Sequence, residues 1–119
     1  MTVGTGLRFS GSQFWIIHRR RQYGPFDYQW SKDFSGIELL YQGEKFGEYC
    51  SVEEIYADLK PFRLPMRVVE VASVVLGATL YGLLNGLSEA EKRENLVGQL
   101  RKHGLSQFAE SIVHTPHRK

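Results

Sequence analysis

Hydrophobic positions recur with period two over the first half of the chain and with a helical period over the second. Phe14, Trp15, Ile16 and Ile17 are aromatic or β-branched and suit a strand. The basic run Arg19-Arg20-Arg21-Gln22 leads into Tyr23-Gly24-Pro25-Phe26, where Gly-Pro marks a turn. Phe26, Tyr28 and Trp30 share one face of a second strand, because side chains alternate across a sheet. After a loop at Ser31–Gly36, Ile37, Leu39 and Tyr41 alternate in a third strand. Gln42-Gly43-Glu44-Lys45 makes a hairpin connection to a fourth strand, Phe46–Cys50. Short connections between consecutive strands predict an antiparallel meander.

The second half carries helix signals. Ser51 and Glu54 frame a capping box, followed by Ile55, Leu59 and Phe62 at helical spacing. Pro61 and Pro65 bracket a break before an apolar stretch, Met66–Leu87. Ser88 and Glu91 frame a second capping box, opening a helix with Leu96, Val97 and Leu100 on one face and a stop at His103-Gly104. A last helix spans Ser106–Val113. The expected fold is α+β: a small antiparallel four-stranded sheet followed by three or four packed helices. Residues 13–113 form a single domain, with a β-rich half (13–62) and a helical half (66–113). Residues 1–12, rich in Gly, Thr and Ser, read as a disordered leader, and 114–119 as a tail.

Between Val68 and Leu87 the only charge is Glu70. Such a stretch is buried either in protein or in lipid. Ala78, Gly82 and Gly86, spaced by four, form a small-residue stripe that lets two helix backbones approach closely. A β half of this size has little core of its own, so the stripe is expected to serve self-association in a homodimer. The alternative is a membrane anchor over Val68–Leu87, with Lys60, Arg63 and Arg67 holding the N-terminal half in the cytoplasm. Gly77, Gly82, Asn85 and Gly86 dilute the hydrophobicity, and Glu70 is costly at depth, which favours burial in protein.

Composition narrows the chemistry. With 42% hydrophobic and 24% charged residues, the chain of 119 residues matches one globular domain and excludes wholesale disorder. A single cysteine, Cys50, excludes an internal disulfide and fits a reducing, cytoplasmic compartment. Arg19, Arg20 and Arg21 beside so many aromatics suggest a nucleic-acid surface, but Asp27, Asp33, Glu38, Glu44 and Glu48 interrupt the positive field and the net charge is only +2. Nucleic acid is therefore not an expected partner. His114 and His117 form an H-x-x-H that Pro116 keeps out of a helix, so no metal site is expected. His18, alone in a strand, reads as a satisfied structural histidine.

A small enzyme would have to use Cys50, at the start of a helix, or Glu70, in apolar surroundings. Cys50 has no His-Asn or His-Asp partner pattern, and Glu70 is expected to pair with Arg67 or Arg63. No phosphate-binding glycine loop and no G-x-S-x-G elbow appear, so the chain is read as non-catalytic and without a cofactor.

The run Trp15-Ile16-Ile17, a basic turn and then Gly24-Pro25-Phe26 resembles the start of a bacterial GYF-like domain, with Trp30 following closely. Ile17 stands where that family has a tyrosine, the Gly-Tyr-Phe tripeptide is missing, and alternation continues where the family begins a helix. The resemblance implies a small adaptor that binds proline-rich peptides on an aromatic surface. On that reading Trp15, Phe26, Tyr28 and Trp30 contact a protein or peptide partner. The expected function is thus an interaction module, acting by self-association or by peptide binding.

Overall fold

Five strands, β1 (Gly6–Ser10), β2 (Gln13–His18), β3 (Arg21–Trp30), β4 (Ile37–Tyr41) and β5 (Glu44–Tyr49), form one antiparallel sheet in chain order. A single turn, α1 (Ile55–Asp58), a 3-10 turn at Lys60–Phe62, and the helices α2 (Met66–Leu84), α3 (Glu89–Lys102) and α4 (Ser106–Val113) follow. The computed structural model describes residues 5–32, 36–49 and 55–113. The capping box at Ser51, together with Cys50, His114 and His117, lies outside them.

The fold is α+β, with five strands where four are expected. The extra one is Gly6–Ser10, expected as part of a disordered leader. Leu7 and Phe9 alternate there, but Gly, Thr and Ser hide so short a pattern. Leu7 pairs with Ile16 and is buried, and its amide donates to Ser111 Oγ of α4 at 3.0 Å.

The inner face of the sheet carries Phe14, Ile16, Phe26, Leu39 and Tyr41, all buried. Phe14 stacks on Phe26 with ring centres 5.0 Å apart, Phe26 meets Tyr41 at 4.8 Å, and Tyr41 meets Phe62 of the 3-10 turn at 5.0 Å. Each such pair adds about 0.5–1.5 kcal/mol beyond the area it buries. A bulge makes this face continuous. Phe14 pairs with Phe26 and Ile16 with Tyr23, so Gly24 and Pro25 together oppose Trp15. The bulge brings Tyr23 and Phe26, an odd number of residues apart, onto the same face. Gly24 is required there: its φ is +142°, and a Cβ would come within 2.9 Å of both the Phe14 carbonyl oxygen and Trp15 Cδ1.

The centre of α2 covers this face, with Val68, Val71, Ala72, Val75, Leu76 and Leu80 wholly buried. By length and composition α2 could also cross a membrane; here the sheet, α1 and α3 enclose it on one side. It stops two residues before Gly86, where φ is +62° and the Leu87 amide donates to the Gly82 carbonyl at 3.0 Å. The second capping box forms as expected: Ser88 N–H donates to Glu91 Oε1 at 2.9 Å and Glu91 N–H to Ser88 Oγ at 3.2 Å. Leu105 N–H donates to the Leu100 carbonyl at 2.8 Å, closing α3 after His103-Gly104.

The small-residue stripe is divided rather than presented outward. Gly82 faces α3, where a Cβ would come within 2.9 Å of Lys92 Cγ. Ala78 is buried on the same side, and Gly86 belongs to the turn beyond the helix. Of the three positions expected to join two copies, Gly82 is thus the one that meets α3 within this chain.

Candidate functional site: an apolar groove between sheet and helices

A half-open groove of about 960 Å³ lies between the inner face of β1–β3 and the C-terminal half of α2 with α3. Strand alternation supplies its floor: Phe9, Phe14 and Tyr28 come from three adjacent strands and point the same way. Leu83 of α2, Val97 of α3 and Ile112 of α4 supply the opposite wall. Phe9 is 46% exposed although its ring centre is only 5.8 Å from that of buried Phe14. A large ring left half in water at the mouth of an apolar groove is the unusual feature, since single exposed aliphatics need no explanation.

The cations at the rim are committed inside the chain. Lys92 pairs with Glu89 at 3.3 Å, Arg93 donates to the Ile112 carbonyl at 2.7 Å, and Arg101 pairs with Glu110 at 3.3 Å. Exposed pairs of this kind contribute about 0–1 kcal/mol to stability. Their effect on the groove is to leave its interior to apolar contact. What the arrangement does chemically is remove hydrocarbon from water, worth about 25 cal/mol per Å².

Comparisons of the chain with protein-family models, with curated proteins and with solved structures found no match.

The four aromatics expected to bind a partner do not form one surface. Phe26 is wholly buried beneath the groove, because strand pairing sets it between Phe14 and Tyr41; it cannot meet a ligand. Tyr28, part-buried, lines the groove. Trp30, two residues on along the same face, is 42% exposed. Trp15 points to the outer face, where the Arg8 guanidinium lies 4.5 Å from its ring centre. Of the expected self-association positions, Ala78 lines the groove. Phe9 is a site residue that the sequence marks only by its spacing of two from Leu7.

At the other end of α2 lies a second cavity, of about 600 Å³. Glu70 is in its wall and pairs with Arg67 at 3.4 Å, the structural pairing expected of it. His18 is there too, and its Nδ1 is buried without a hydrogen-bond partner among the described residues, short of the satisfied histidine that is expected. Two groups outside both cavities titrate away from their usual range. A hydrogen bond from the Gln29 amide, followed by the Lys45 ammonium, holds Glu38 below the usual carboxylate range. Burial, and then Tyr23, pushes the Tyr41 phenol up. Its neutral form is favoured in the fold, so the stability this contributes is lost only as pH rises through the alkaline range.

Proposed function

We propose that this chain is a non-catalytic interaction module that receives an apolar segment of a partner protein in the groove between β1–β3 and α2–α3. The half-exposed Phe9 beside buried Phe14 and part-buried Leu83 is the observation that carries the reading. Concavity supports a segment over a second copy. A two-fold dimer through this patch would set groove against groove, which leaves a void rather than a packed seam. A helix or extended strand with two or three apolar side chains fills the groove instead. Tyr28 is the one expected partner-binding aromatic that takes part, so the proline-rich ligand implied by the GYF-like resemblance is one class of such segment. Burial of α2 within the domain supports the role of core helix over that of anchor.

The test is selection from a displayed peptide library, with the mass of the chain measured by light scattering over a tenfold concentration range. The expected result is a monomer near 13.7 kDa that enriches peptides with apolar anchors. Phe9→Asp and Leu83→Asp are expected to weaken those peptides by about tenfold or more while leaving the circular dichroism spectrum unchanged. A stable dimer that Phe9→Asp dissociates would replace this reading with self-association. Peptides that bind the Phe9→Asp protein equally well would remove the groove from the argument.

A further inference from the structure

The cavity at the N-terminal end of α2 has the opposite character to the groove. Its wall holds His18 and Arg19 from the β2–β3 hairpin, Met66, Arg67 and Glu70 from the start of α2, and Phe108 from α4. The hairpin turn is unusual. Arg19 has φ +52° and Arg20 φ +65°, both in the left-handed region. Such turns normally take Asn or Gly, and an ordinary L residue there costs about 1–2 kcal/mol. Arg19, Arg20 and Arg21 form no side-chain hydrogen bond or ion pair among the described residues. Three adjacent cations with no partner among the described residues, two of them in a disfavoured backbone conformation, are a local choice that the hairpin itself does not call for.

The cavity wall carries two arginines, Arg19 and Arg67, and one carboxylate, Glu70, and Arg20 and Arg21 follow Arg19 directly in the hairpin, in a chain whose net charge is +2. No side chain caps the amides of the first turn of α2, because Pro65 occupies the cap position, so the positive end of that helix adds to the field. Beside these charges the wall is apolar. Met66 is 69% exposed, and Leu105 and Phe108 lie deeper. A charged recess backed by hydrocarbon suits a ligand with an anionic head and an apolar body.

We infer that this cavity binds a phosphate monoester, its phosphate held between the Arg19 and Arg67 guanidinium groups and its organic part resting on Met66 and Phe108. Arginine forks match phosphate oxygens two at a time, and a dianion engages two such groups better than a single carboxylate does. Glu70 is the internal competitor: at 3.4 Å it occupies the guanidinium that the phosphate needs.

Phenyl phosphate is the probe, titrated into the full chain and followed by calorimetry. The expected result is saturable binding in the range of about 1 mM or tighter. Arg67→Gln, and Arg19→Asn, in which asparagine suits the left-handed turn, are each expected to weaken it by about tenfold or more. Glu70→Gln is expected to strengthen it, an outcome that a merely structural role for Glu70 does not give. Arg8→Gln, on the outer sheet face, is expected to change nothing. Melting temperatures of the unliganded variants confirm that each is folded. Absence of saturation, or equal binding by the Arg19 and Arg67 variants, overturns the inference. Binding to vesicles containing phosphatidic acid without binding to phenyl phosphate overturns it also, because the arginines would then serve a membrane surface rather than a cavity.

Discussion

The two ends of α2 are built from the same helix and the same sheet, yet they differ in kind. At the C-terminal end, large apolar side chains from three strands and three helices converge, and every rim cation described above has a partner in the chain. At the N-terminal end, arginines without a partner among the described residues crowd a hairpin tip beside a recess whose described lining has one carboxylate. The first end resembles a core that stops short of closing. The second resembles a surface arranged against its own stability. A protein that needed only to fold would have closed the first and dispersed the second, so the contrast locates what folding alone does not explain.

The largest perturbation expected is one that removes the contrast by damaging what both ends share. Leu76 is wholly buried at the middle of α2. Leu76→Ala is expected to cost about 2–5 kcal/mol in urea unfolding and to impair peptide and phosphate binding together. A smaller change separates the ends. Ser88→Ala removes the cap of α3, which forms one wall of the groove, and is expected to cost about 1 kcal/mol. It should loosen peptide binding and leave the response to phenyl phosphate intact; loss of both would mean that the ends are coupled through α3. The smallest effect belongs to the arginine-rich end. Arg67→Gln breaks only an exposed pair and is expected to shift stability by no more than about 0.5 kcal/mol in the same unfolding assay. A larger loss there would show that the charges hold the fold after all.

Much of the fold is legible in the sequence because its signals are local. The period-two aromatics mark β3, the Ser88–Glu91 box starts α3, and His103-Gly104 ends it. What escapes reading is what depends on partners distant in the chain. Alternation gives Phe26, Tyr28 and Trp30 one face without saying whether that face meets water or α2, and Phe26 goes into the core. Spacing by four suggests a seam at Gly82 without saying whose helix fills it, and the answer is Lys92 of the same chain. The bulge at Gly24-Pro25 reads as a turn because a turn and a bulge use the same residues. The site was harder still. Phe9 stands in a stretch too short and too polar to announce a strand, and the groove it borders exists only once β1, α3 and α4 have met.

The hydrogen bond from the Leu7 amide to Ser111 Oγ ties the first strand to the last helix across 104 positions of sequence. An edge strand ordinarily leaves such an amide to water or to another chain. Here the proton on Leu7 is a clock for the contact between β1 and α4: it exchanges with solvent deuterium only as often as that contact opens. Because Ile112 of the same helix walls the groove, a slowing of that clock by a bound peptide would report occupancy from outside the pocket.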